Sequence, residues 1–275
     1  RKSLAWSFSQ EFFQKAFRFA GSIVIARLLT PDEVGVFAIA MSANYLLNSV
    51  RDFGVGSYLI REPELTRDKV RTVFGLTLAI QWTLGALLVG LRGPVAELYG
   101  TPGIAEVLGV LALSFFIAPF GQPANALLRR DMRFDLLHHI GIAGVTVGTG
   151  TTILLAALGF SYMSMAWGLL AGHVTRITLT LAVRRDHLRL LPGFQHWRDV
   201  LQFGGWLTAA GLFGTIAAEG RKLVLGGLIN PGAVALLERA QQIPQMSRQM
   251  LFMPVGRVLL PSFSKDIREG RSIGP

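Results

Sequence analysis

Eight apolar stretches, each long enough to reach the ~20 residues that a helix needs to cross a bilayer, follow one another along this chain. They lie at roughly 4–29, 34–60, 70–91, 103–127, 136–158, 163–183, 201–229 and 233–260. A soluble domain would restrict its apolar residues to one stripe of each helix, and runs this long and this evenly apolar are at home in lipid. The chain is therefore predicted to be an all-α, polytopic membrane protein of about eight transmembrane helices. Composition points the same way: 51% of the 275 residues are hydrophobic and 16% charged, against about 25% charged in ordinary soluble domains. With no cysteine, a disulfide framework, an iron–sulfur cluster and a thiolate zinc site are all excluded.

The connections between spans alternate in charge. One set is basic: Arg1 and Lys2; Arg61, Arg67, Lys69 and Arg71; Arg129, Arg130 and Arg133; Arg184, Arg185, Arg189 and Arg198; Lys265, Arg268 and Arg271. The other set is short and carries only Arg92 among its members Thr30 to Glu33, Arg92 to Pro102, Gly159 to Tyr162 and Asn230 to Gly232. The positive-inside rule reads this bias as a multi-pass protein with a cytoplasmic N-terminus. It also accounts for the net charge of +10 without nucleic acid, because a nucleic-acid face would cluster by surface and not by every second loop. No cleavable signal is visible ahead of the first span.

Local punctuation marks the span ends. Thr30 is placed as an N-cap with Pro31 at the first helical position and Asp32 and Glu33 in the first turn, and Thr101-Pro102 and Asn230-Pro231 are expected to repeat the device. Pro119, Pro123, Pro244 and Pro254 fall inside spans and should kink them. The glycines scattered through the spans suit close packing of membrane helices. Arg27 to Ala40 aligns without gaps on Gly227 to Ala240, with Leu28/Leu228, Pro31/Pro231, Val34/Val234 and Ala40/Ala240 identical. Spans seven and eight thus read as spans one and two starting again, the parallel-repeat design of transporters. The expected organisation is a six-helix bundle over 1–183, a basic cytoplasmic linker over 184–200 and the start of a second bundle over 201–275. A first residue other than Met and the halt after two repeated helices suggest a fragment of a longer transporter.

Ions inside the spans are the functional signal, since each costs about 2.5–3.5 kcal/mol at a lipid-facing helix centre. Arg27, Arg51 and Arg257 lie where long side chains snorkel to the interface. In the first span Glu11, Lys15 and Arg18 share one polar stripe; either Glu11 and Lys15 cement the bundle as an i,i+4 ion pair, or Lys15 and Arg18 line a wet cavity that binds an anionic group. Glu219, Arg221 and Lys222 occupy similar depth in span seven, and Glu238, Gln242, Gln245 and Gln249 form a stripe on span eight, as interhelical glue or as substrate contacts. Arg176, one turn after His173, is either a further cavity cation or a structurally paired one. His138-His139 lacks a third ligand at metal spacing, and no Gly-rich phosphate loop precedes a Lys-Ser/Thr pair. No metal, cofactor or ATP-driven step is expected. A membrane-embedded glycan polymerase or ligase needs positioned acid–base or nucleophilic groups, and the short connections hold only Glu97 in the longest of them.

The segments Ala26-Arg-Leu-Leu-Thr-Pro-Asp-Glu-Val-Gly35, Asp52-Phe-Gly-Val-Gly56 and Leu128-Arg-Arg-Asp-Met-Arg-Phe134 resemble the oligosaccharide flippases of the multidrug/oligosaccharidyl-lipid/polysaccharide exporter superfamily, the O-antigen and capsule repeat-unit translocases. Leu223-Val-Leu-Gly226, Glu238-Arg-Ala240 and Pro254-Val-Gly-Arg-Val-Leu-Leu-Pro-Ser-Phe-Ser264 extend the resemblance along nearly the whole chain. It implies 12 to 14 helices in two bundles around a cationic cavity, in the bacterial cytoplasmic membrane. It also implies a non-enzymatic role: moving undecaprenyl-diphosphate-linked oligosaccharide across the bilayer for O-antigen, capsule or exopolysaccharide synthesis, by alternating access, with transient contacts to a polymerase and glycosyltransferases. A drug exporter of the same superfamily is the other transporter reading, though a cationic cavity suits cationic drugs poorly. Lys15, Arg18, Arg221 and Lys222 are the expected diphosphate contacts, with Arg51 and Arg176 behind them. The family often carries Asp two residues before the Leu-Val-Leu-Gly segment, where this chain has Arg221; its ion-coupling role does not transfer, and Glu11, Glu219 and Glu238 are the carboxylates available for one.

Overall fold

The computed structural model of the chain describes residues 21–51, 55, 58–59, 65–131, 133–184, 191–195, 197–198 and 200–202, and of the stretch 205–241 residues 205, 208, 213, 216, 220, 224–228, 230, 232 and 234–241. Among these every regular element is a helix: α1 (Pro31–Arg51), α2 (Arg67–Leu98), α3 (Gly103–Ile117) running into a 3-10 turn (Ala118–Phe120), α4 (Gln122–Arg130), α5 (Phe134–Ala157) and α6 (Met163–Val183). Residues 21–28 are also helical. The protein is all-α, and α2, α3 with its 3-10 turn, α5 and α6 are each long and apolar enough to cross a membrane. The chain forms two compact units, 1–235 and 236–275; in the second, residues 236–241 are described and helical.

The start of α1 follows the sequence signals closely. Thr30 Oγ1 accepts from the Glu33 backbone N–H at 3.3 Å while the Glu33 carboxylate accepts from the Thr30 backbone N–H at 2.7 Å and its hydroxyl at 2.9 Å, a reciprocal capping box. Thr101 departs from the expectation: its hydroxyl donates to the Tyr99 carbonyl at 3.1 Å, and α3 starts after Pro102 with no side-chain cap. The intervening Gly100, at φ +61°, turns the chain in a conformation open to glycine, and that turn uses the threonine. The connection expected over Arg92 to Pro102 is also shorter than predicted, because α2 continues through Pro94 to Leu98. Proline removes one intrahelical donor, but the next turn keeps its own partners, as in the bond from Tyr99 N–H to the Val95 carbonyl at 3.3 Å. The expected single span 103–127 is broken at Pro119 and Gly121 into α3, the 3-10 turn and α4.

α3 is the central helix. Ile104, Val107, Leu108, Leu111 and Phe115 are buried against Ile39 and Ala40 of α1, Leu88 of α2 and Ala166 of α6. α5 and α6 form the most extensive helix pair, followed by α2 with α3. The α5–α6 seam is built from glycine: a Cβ on Gly148 would lie 2.9 Å from the Gly168 carbonyl oxygen, and one on Gly172 2.7 Å from the Gly144 carbonyl oxygen. Both helices therefore carry small residues four apart so that the backbones touch.

Hydrogen bonds sort the connections into two opposite ends of the bundle. At one end Ser161, between α5 and α6, donates to Glu33 at the start of α1, and Tyr162 donates to Glu106 at the start of α3 at 3.0 Å. Burial alone would raise the Glu33 carboxyl, but the hydrogen bonds from Ser161 and Thr30 outweigh it and hold the group below its ordinary value. At the other end Arg130 donates to the Leu59 carbonyl at 2.7 Å, Arg184 pairs with Asp131, and Gly193 N–H donates to the Arg71 carbonyl at 3.0 Å. Arg71 in turn donates from Nε to the Leu191 carbonyl at 3.2 Å. A second apolar cluster, with Leu59, Val73, Leu127 and Val200, underlies this end. All the basic connections among the described residues meet there, so the alternation read in the sequence is an alternation in space.

Candidate functional site

A cavity of about 570 Å³ opens between α1, α5 and α6, with Ile25 closing one side. The wall contributed by α1 is Phe37, Met41, Asn44, Tyr45, Asn48 and Arg51, spacings of three and four that bring successive turns to one face. Gly144, Gly148, Thr149 and Thr152 line it from α5, and Met165, Gly168, Gly172, His173 and Arg176 from α6. The glycine seam therefore forms its floor, and the missing side chains leave room for the long groups that enter it.

Two cations converge on this space from different helices. Arg176 passes its aliphatic stem over Gly144, and its Nε donates to the Gly172 carbonyl at 3.2 Å, which directs the guanidinium across the floor. Arg51 comes from the last turn of α1. His173 is within electrostatic reach of both arginines. Above Arg51 on the same face, Asn48 donates from its amide to the Asn44 carbonyl at 2.8 Å. Asn44 is 3% exposed, its amide meets only the Met41 sulfur at 3.9 Å, and its Oδ1 has no partner among the described residues.

Of the residues expected to act, the structure brings Arg51 and Arg176 together in one cavity. Arg51, read in the sequence also as a snorkelling side chain, is half-buried and lines that cavity; depth along a span is legible in a sequence, but direction is set by the neighbouring helices. Arg27 is exposed. Glu11, Lys15, Arg18, Glu219, Arg221 and Lys222, like Gln242, Gln245, Gln249, Pro244, Pro254 and Arg257, lie outside the described residues. Glu238 is half-buried in the second unit. His138 and His139 stack edge to face at 6.0 Å near the start of α5. Asn44, Tyr45 and Asn48 were not singled out by sequence. The signal was present: Asn44, Asn48 and Arg51 stand at i, i+4 and i+7 in a largely apolar span.

Residues 24–273 match the model of a family described as polysaccharide biosynthesis protein. The chain belongs to this family. It is 22% identical over 251 residues to the lipopolysaccharide biosynthesis protein WzxC of Escherichia coli (strain K12), covering 88% of this chain and 50% of that protein. It is 26% identical over 276 residues to the succinoglycan biosynthesis transport protein ExoT of Rhizobium meliloti (strain 1021), covering 98% and 55%. With the teichuronic acid biosynthesis protein TuaB of Bacillus subtilis (strain 168) the figures are 24% over 229 residues, 80% and 47%. The chain thus spans about half the length of these curated relatives. No solved structure matches it. Two of the segments through which it resembles the flippases do structural work: the first contains the Thr30–Glu33 capping box, and Leu128–Phe134 supplies Arg130 and Asp131 to the basic end.

Proposed function

We propose that this polysaccharide biosynthesis protein carries an undecaprenyl-diphosphate-linked oligosaccharide across the cytoplasmic membrane, and that the cavity between α1, α5 and α6 is the part of the path provided by this bundle. The observation that supports this most is the meeting of Arg51 and Arg176 in one cavity inside an apolar bundle. A diphosphate moved through a bilayer loses its hydration, and fixed guanidinium groups with planar forks offset that loss while the prenyl tail stays in lipid. Binding has to remain weak enough for release on the far side. The names of its relatives, among them a succinoglycan transport protein, favour transport over glycan bond formation.

In this reading the basic end of the bundle faces the cytoplasm, residues 1–183 form the first bundle, 184–200 link it onward and 201–275 begin a second. Lys15, Arg18, Arg221 and Lys222 add to the cationic path, and Glu11, Glu219 and Glu238 are the carboxylates on which ion coupling would act. Replacing both cavity arginines (Arg51→Ala with Arg176→Ala) in the full-length protein is expected to abolish surface polysaccharide in a flippase-deficient strain while membrane insertion is unchanged. Undiminished polysaccharide display by a well-inserted double variant would overturn the assignment.

A further inference from the structure

The cavity is not uniform along its length. Arg51 closes its α1 wall at one end, and Arg176 stands seven residues before Val183, the end of α6 on the same side. At 1.5 Å per residue Arg176 is about 10 Å from that helix end, which lies at the basic end of the bundle. Moving the other way, Asn48 is one turn from Arg51, and Asn44 is two turns away, about 10 Å by the same rise. Beyond Asn44 the lining is Met41 and Phe37 on α1, Thr149 and Thr152 on α5, and Met165 on α6. Among the described residues, the positive charge lining the cavity is confined to the basic half, while the other half offers amides, hydroxyls, a tyrosine and apolar surface.

We propose that the two halves hold two chemically different parts of one cargo: the arginine half takes the diphosphate, and the half built around Asn44, Tyr45 and Asn48 takes the first sugar attached to it. This rests on the flippase reading and extends it to cargo recognition. Three features support a sugar subsite. Sugar hydroxyls need paired donors and acceptors, which carboxamides supply in one group. Asn48 is half-buried and lines the cavity, its amide held by the Asn44 carbonyl at 2.8 Å, so that a carboxamide stands positioned at the wall. Tyr45, 46% exposed on the same wall, presents an aromatic surface beside those amides, the mixture of apolar face and polar edge that a pyranose ring requires. The order also suits a lipid-anchored cargo. The glycan would enter first and pass the arginines, and the phosphates would stop near the basic end, close to the headgroup depth from which the tail cannot depart.

The test compares two probes on the protein in lipid nanodiscs: undecaprenyl diphosphate, and the same lipid bearing one glucose. Asn44→Leu and, separately, Tyr45→Ala are expected to weaken binding of the glucosylated lipid about tenfold and leave the sugar-free lipid unchanged. The paired Arg51→Gln, Arg176→Gln variant should weaken both. The exposed position of Tyr45 makes its variant informative even where the buried Asn44→Leu protein fails to fold. Equal weakening of both probes by the Tyr45 and Asn44 variants, or none, would overturn the division of the cavity while leaving the flippase reading standing. Failure of the unaltered protein to bind either lipid would overturn both.

Discussion

Glu33 shows how a single side chain can be read twice. Within its own turn the carboxylate completes the capping box with Thr30, and across the bundle it accepts the Ser161 hydroxyl. Ser161 holds a positive φ of 52°, a conformation that costs a non-glycine residue energy and that the bond to Glu33 helps hold. Because burial raises the carboxyl less than these hydrogen bonds lower it, its contribution to stability is full above the ordinary carboxylate value and fades as pH falls through the depressed one. The group is only half-buried, so solvent screening keeps the effect small. Glu33→Gln is expected to lower the melting temperature of the purified protein at neutral pH by a few degrees. The gap to the unaltered protein should then close as pH falls below the ordinary carboxylate range, as protonation removes the same carboxylate. Parallel melting curves for the two proteins across that range would show that the carboxylate does not hold the turn.

At the scale of elements, the α5–α6 pair is the rigid part of the site. Its small residues do what leucines would do in a soluble bundle, since in lipid the gain comes from close van der Waals contact and not from leaving water. Gly148→Ala puts a methyl 2.9 Å from a carbonyl oxygen of the facing backbone, which cannot swing aside as a side chain would. A loss of about 1–3 kcal/mol is expected, the usual cost of overpacking. Gly150, two residues on, faces open space, and Gly150→Ala should be neutral or stabilise by up to ~1 kcal/mol through helix propensity. Thermal unfolding of the two variants in the same detergent measures the contrast; equal stability would mean that the helices do not touch through this seam. Much of this level was legible beforehand. Long apolar runs and capping residues located α1, α2, α3, α5 and α6, because each depends on signals within one turn or one span. The extension of α2 past Pro94 was hidden, since Gly93-Pro94 looks like a stop and only the intact bonds of the following turn keep the helix going. The cavity was half legible: Arg176 and Arg51 could be named as unusual ions, but which face each turned inward depended on α5, whose close approach to α6 runs through glycines that carry no chemical signature.

For the whole molecule, the alternation of basic and short connections becomes a physical axis. Arg130 to Leu59, Arg184 to Asp131 and Gly193 to Arg71 gather one set of connections, and Ser161 to Glu33 with Tyr162 to Glu106 gather the other. The linker after α6 is part of this base. Gly193 crosses so near Gly75 that a side chain on the latter would strike its carbonyl, and Val200 is buried beneath. Which end faces the cytoplasm follows from where the positive charge is retained during insertion, and that choice fixes the direction in which an anionic cargo meets the cavity arginines. The absence of cysteine from this chain allows a direct measurement, because within it an introduced thiol is unique. Glu97→Cys and Leu158→Cys, both at exposed positions of the short-connection end, are expected to react with a membrane-impermeant maleimide added to cells whose outer surface is accessible. Arg67→Cys and Arg133→Cys, exposed at the basic end, should react only after the membrane is opened. The reverse pattern would place Arg51 and Arg176 nearer the outside, so that the cavity would meet its phosphates on release and not on loading, and transport by this route would run towards the cytoplasm.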